Sequence, residues 1–169
     1  MVEKMSGQRN GQGQIKGFTM IEVIAVIVVI AILLAVAVSR VVSPTNTSLI
    51  AENDILKAHL RYAQYRAMGD VTLWRMSFAA NTYTLWNYDS SASQWKPSTL
   101  PNEDSGTHSL QKAGVSITVT GGDGTSIYFN EWGSPVNASD VLLTNPKIVL
   151  SAEGDAQTIT ITPNTGFIP

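Results

Sequence analysis

The chain has 169 residues, with 11 Lys and Arg against 13 Asp and Glu, and no cysteine. Without cysteine, neither a disulfide framework nor a thiolate metal centre is possible. The formal net charge is −2; residues 1–17 hold Lys4, Arg9 and Lys16 against Glu3, a net +2, so the remainder carries −4. An acidic remainder argues against a general polyanion-binding surface.

Met1 to Gly17 is polar, Gly- and Gln-rich, and weakly basic. Phe18 to Val38 follows, an apolar run of 21 residues with one charge, Glu22, and no Gly or Pro. As a helix it would rise about 31 Å, which matches a bilayer's hydrocarbon core. A carboxylate near the start of such a run is costly, and by default it marks function. An ordinary secretory signal places a small-residue cleavage site after its apolar core. Here none is obvious, and a glycine sits before the core instead, at Lys16-Gly17-Phe18. The positive leader predicts a cytoplasmic N-terminus, which the single Arg40 past the run does not overturn.

Lys16-Gly17-Phe18-Thr19-Met20-Ile21-Glu22 and the Val/Ile/Ala/Leu stretch behind it resemble the signal of type IV prepilins and type II secretion pseudopilins. The resemblance implies that a prepilin peptidase cuts between Gly17 and Phe18 and methylates the new amino group of Phe18. It also implies that Glu22 supports subunit docking into a filament. Physically, a buried carboxylate needs a partner, and the free amine of a neighbouring Phe18 can supply one. Ser39 and Ala31 stand where many family members carry Pro and Gly. The expected helix is therefore straighter, without a break before Pro44.

Past Pro44, Leu49, Asn53, Leu56, Leu60, Ala63 and Ala67 recur at helical spacing. They predict an amphipathic helix from Thr47 to Met68, ended by Gly69, whose stripe covers a sheet. His59 on that helix reads as a packing or surface residue without a second ligand nearby. The period then shortens to two. Val71–Phe78 and Thr82–Tyr88 predict a hairpin about Ala80-Asn81. Asp89 to Gly114, with Trp95 in its middle, reads as a long loop. Val115–Thr120 is a strand, Gly121-Gly122-Asp123-Gly124 a tight turn, and Thr125–Phe129 the next strand. Gly133-Ser134-Pro135 interrupts the chain. Lys147–Ser151 and Gln157–Thr162 flank Glu153-Gly154-Asp155 as a second hairpin.

The helix with Arg61–Ala67, then Ile127-Tyr128-Phe129 with Gly133 shortly after, then Ile159–Pro163 with Thr165-Gly166, resembles the head of minor pseudopilin H and FimT-like proteins. The fold expected is α+β: a long N-terminal hydrophobic helix, transmembrane and then amphipathic, packed on a C-terminal antiparallel β-sheet head. Its parts are a leader (1–17), a transmembrane and filament-core helix (18–43), an amphipathic helix (44–69) and a β-rich periplasmic head (70–169).

No catalytic constellation is present. There is no Gly-x-Ser-x-Gly elbow, no paired-His motif, and no Lys-Ser/Thr after the glycines at 121–124. Asp123, Asp140, Glu153 and Asp155 lie in loop stretches where carboxylates suit calcium, but no EF-hand spacing occurs. No metal or cofactor is expected, with structural calcium left as an alternative. Trp74 and Trp86 fall in strand patterns. Trp95, and less so Trp132, lie in loop or turn contexts suited to partner contact.

The resemblance implies a minor pseudopilin of a type II secretion system, not an enzyme. Its implied partners are a prepilin peptidase, other pseudopilins or pilins, the inner membrane and the secretion assembly platform. The alternative is a minor type IV pilin of the FimT kind in pilus priming or DNA uptake. No nucleic acid is expected, because Lys147 to Pro169 holds one Lys and no Arg, against Glu153 and Asp155.

Overall fold

A computed structural model describes residues 17–38 and 44–169. The leader residues before Gly17, and Ser39, Arg40 and Val41–Ser43, lie outside the described residues. The chain divides into two compact units, Met1–Val41 and Val42–Pro169.

The first unit contains α1, Met20–Val38. Thr19 caps it: the amide of Glu22 donates to Thr19 Oγ1 at 3.3 Å, and the amides of Glu22 and Val23 donate to the Thr19 carbonyl at 3.1 and 3.2 Å. Thr19 and Glu22 thus stand three apart in the capping-box pattern, and the Glu22 carboxylate lies in the first turn, where the helix dipole favours it. Because Thr19 is the cap, α1 starts two residues later than the apolar run. Its 19 residues rise about 28 Å, against about 30 Å for a hydrocarbon core. Among the described residues no helix is long and apolar enough to cross a membrane. Ala31 lies inside an unbroken α1, so at that position the helix is continuous, as its lack of glycine predicts.

The second unit is built on α2, Pro44–Asp70. It is longer than the periodicity predicts at both ends. Proline is tolerated in a first turn because its missing N–H has no intrahelical acceptor there. Gly69 does not end the helix; Val71, with φ of 52°, takes the left-handed position beyond Asp70. The predicted stripe is the buried one: Leu49, Asn53, Leu56, Leu60, Ala63 and Ala67 are all inside.

α2 packs on two antiparallel sheets. The first has the order β3-β2-β1-β6-β7, with β4 also on β2. Its strands are β1 Trp74–Phe78, β2 Thr82–Asp89, β3 Gln94–Pro97, β4 Thr107–Ser109, β6 Ser126–Phe129 and β7 Pro135–Val136. The second has the order β5-β8-β9: Ser116–Thr120, Lys147–Ala152 and Asp155–Thr160. Period-two alternation points Trp74, Met76, Phe78, Tyr83, Leu85, Ile127 and Phe129 into the core from the first sheet. Ile117, Ile148, Leu150 and Ile159 enter it from the second.

One expectation is corrected. Asp89–Gly114 is not an irregular loop: Tyr88 pairs with Trp95, and Thr82 with Ser109, so the segment adds β3 and β4 to the sheet. Both strands are too short and polar to show a period, and β3 stops at Pro97, which an edge strand tolerates. The glycine turn at 121–124 leads from one sheet to the other, since β5 and β6 belong to different sheets. The crossover brings backbones close together: a Cβ on Gly122 would lie 2.7 Å from the Ser126 carbonyl oxygen, and Gly121 sits against the Asn145 carbonyl.

Candidate processing and assembly site

The N-terminal segment places its three predicted residues within one turn and a half. Gly17 precedes the cap, and among the described residues nothing lies within 4 Å of where its Cβ would be. Phe18 is 81 % exposed, so the Gly17–Phe18 bond is not covered by the described part of the chain. Glu22 is exposed and heads a strip of α1 formed by Ala25, Val26, Val29 and Ile30. These residues follow at i+3, i+4, i+7 and i+8, so one helix face joins a carboxylate to a strip of small and branched apolar side chains. Such a face can bury itself against a like helix only if the carboxylate meets a cation there.

In the head, Trp95 lies in β3 rather than in a loop, and it is half-buried on the solvent side of the first sheet. Its ring centroid is 5.3 Å from Tyr88 and 5.6 Å from Tyr128, and it stands over the Arg75 guanidinium at 4.6 Å. Trp132 lies in a turn and is 74 % exposed.

A second cluster was not visible in the sequence. His59 is buried; its Nε2–H donates to the Pro101 carbonyl at 3.1 Å, so Nδ1 accepts from the Tyr83 hydroxyl at 2.8 Å. His108 lies beside it, with ring centroids 5.9 Å apart. Its two ring nitrogens meet Glu103 at 2.6 Å and Glu52 at 2.8 Å, tying the 101–108 segment to α2. Thus His59 does have a titratable neighbourhood, brought together from α2, β2, β4 and the segment before β4. Glu52 and His108 are 56 residues apart, a separation no local pattern reveals. Among the described residues, no group of three or more His, Asp or Glu side chains is placed to hold a metal ion. Of the loop carboxylates, Asp123 accepts from the Ala138 amide and Asp140 from the Asn130 side chain.

Burial holds His59 below its ordinary value, and burial followed by the nearby Glu52 and Glu103 raises Tyr83. A histidine that resists protonation in the fold leaves the unfolded chain with more bound protons as pH drops below about 6.5. The contribution of His59 to stability should therefore be fully present above that pH and decline beneath it. The urea midpoint of the purified chain is expected to fall between about pH 6.5 and 5, and His59→Gln should flatten that decline. An equally steep decline in the variant would assign it to other groups.

Residues 14–38 match the prokaryotic N-terminal methylation motif, a match that spans Gly17, Phe18 and Glu22. No curated protein matches the chain at a significant level. Among solved structures, the fold is similar to the minor pseudopilin EpsH from the type 2 secretion system of Vibrio cholerae. That match has a TM-score of 0.56 and 9 % identity, over 72 % of this chain and 94 % of the other. A second EpsH structure matches at 0.55 and 10 % identity, over 75 % and 94 %. The type IV minor pilin FimU of Pseudomonas aeruginosa matches at 0.55 and 14 % identity, over 73 % and 88 %. The chain has a prepilin-type N-terminus and a pilin-like fold. At these identities the structural likeness concerns the fold alone. In this pilin-like chain the strongest local signal is the N-terminal one. Neither the His59–His108 cluster nor the Arg75 cluster falls within the matched motif.

Proposed function

We propose that the chain is a minor pseudopilin of a type II protein secretion system. On this reading a prepilin peptidase cuts between Gly17 and Phe18 and methylates Phe18. The apolar stretch first anchors the chain in the inner membrane, with its N-terminus cytoplasmic and its head periplasmic. It then forms the core of a filament with other pseudopilins, docked on the secretion assembly platform. Glu22 pairs with the amine of a neighbouring Phe18 during assembly. The head contributes partner contacts, Trp95 among them, rather than catalysis.

The observation that supports the reading is the combination, in one chain, of the methylation motif at residues 14–38 with a head whose fold is similar to that of EpsH. Deleting the gene should abolish or sharply reduce release of folded exoproteins. Unchanged release, with loss of twitching or of transformation, would instead favour a minor type IV pilin. The comparable likeness to FimU supports that second reading. Direct DNA binding has less support, because the C-terminal strands carry little positive charge.

A further inference from the structure

The solvent side of the first sheet holds a cation without an acid. Arg75 projects from β1 between Trp86 on β2 and Tyr128 on β6, its cross-strand neighbours. Its guanidinium carbon lies 4.9 Å from the Trp86 ring centroid, 4.6 Å from Trp95 and 5.9 Å from Tyr128. Arg75 enters none of the ion pairs Arg66–Asp70, Lys96–Asp89 and those of His108. Its Nε is buried without a hydrogen-bond partner. Trp86 is itself fixed, its indole N–H donating to Ser77 Oγ at 2.8 Å.

Stacking on aromatic faces orients a guanidinium but uses none of its N–H donors. Indole walls also exclude water, so an ion pair formed against them is stronger than one on open surface. A planar fork with free donors matches a carboxylate, which it can bind through two parallel hydrogen bonds. The chain beyond residue 17 carries a net −4. Arg75 is therefore a positive point on an acidic protein, suited to one carboxylate and not to a long polyanion.

We propose that Arg75, framed by Trp86 and Trp95, is the docking point for a carboxylate on an acidic segment of a neighbouring protein subunit. The proposal rests on the reading that the head faces partners, and it supplies the chemistry of that contact. Trp95 then works as the wall of the site, with Arg75 as its charged centre.

The test uses the purified full chain in detergent micelles, titrated with an end-blocked triglutamate peptide and with its triglutamine counterpart. The readout is the indole N–H resonances of the four tryptophans. Triglutamate should move Trp86 and Trp95 saturably, leaving Trp74 and Trp132 in place, and triglutamine should move none. Arg75→Lys should weaken the response about fivefold, as expected for losing a two-point contact, and Arg75→Gln should abolish it. Trp74, in the core, reports whether each variant is folded. Equal shifts with both peptides, no shifts, or an equal response to inorganic phosphate would overturn the proposal. The wild-type comparison decides the matter even if Arg75→Gln does not fold. Failure of the filament reading would show separately, as a wild-type chain that is never cut after Gly17.

Discussion

In Gly17→Ala, cleavage after residue 17 is expected to slow by about 10–200-fold, the range that one added methyl commands in a tight enzyme pocket. The chain should accumulate as an unassembled precursor with its leader attached. The structure isolates the cause. Among the described residues a Cβ at Gly17 would meet nothing within 4 Å, so the substitution disturbs no packing there. On the proposed reading the effect arises in the peptidase, where the residue before the cut bond would meet the enzyme. Gel analysis of membrane fractions distinguishes precursor from mature chain. Normal maturation of the variant would refute the assignment of the cut.

The second large effect is expected for Glu22→Ala. Cutting and membrane insertion should proceed, because the capping bond to Thr19 uses the Glu22 amide and not its carboxylate. Incorporation into filaments should fall about 30-fold or more, since removing one partner of a buried charge pair costs about 2 kcal/mol at least. Most of that loss would come from the neighbouring amine, left buried without an anion. Glu22 is also an N-terminal helix residue, and losing a favourable dipole contact costs only about 0.3–1 kcal/mol. A small drop in helix stability with normal incorporation would therefore reduce Glu22 to that local role. The decisive measurement is the fraction of mature variant co-isolated with filament subunits, compared with wild type.

What the sequence made legible was local. The methylation motif was legible because it is contiguous: the proposed cut site and Glu22 lie within six consecutive residues, Gly17 to Glu22, inside the matched 14–38 stretch. The α2 stripe was legible because Leu49 to Ala67 keep one face through five turns, and a sheet covers that face. β1 and β2 alternate clearly and are joined by a short turn, which fixes their pairing. The glycine turn at 121–124 was readable as a turn, yet a turn does not say which sheet the next strand joins. β3 and β4 were hidden because four and three residues are too few for a period of two to show.

The two side-chain clusters in the head were illegible for a different reason. Arg75, Trp86, Trp95 and Tyr128 come from four strands, and only the sheet order β3-β2-β1-β6 sets them side by side. His59, His108, Glu52 and Glu103 meet only once β4 has paired with β2 beside α2. Trp95 shows the consequence. A loop context suggested an exposed aromatic, whereas the strand pairing makes it half of an aromatic frame around a guanidinium.

On the proposed reading this chain matures at one bond and enters a filament by the end so created. Mass spectrometry of the N-terminal peptide from the membrane-extracted wild-type chain tests it most directly. The expected peptide begins at Phe18 and carries one methyl on its amine. A chain that keeps Met1, or begins at any residue other than Phe18, would contradict it.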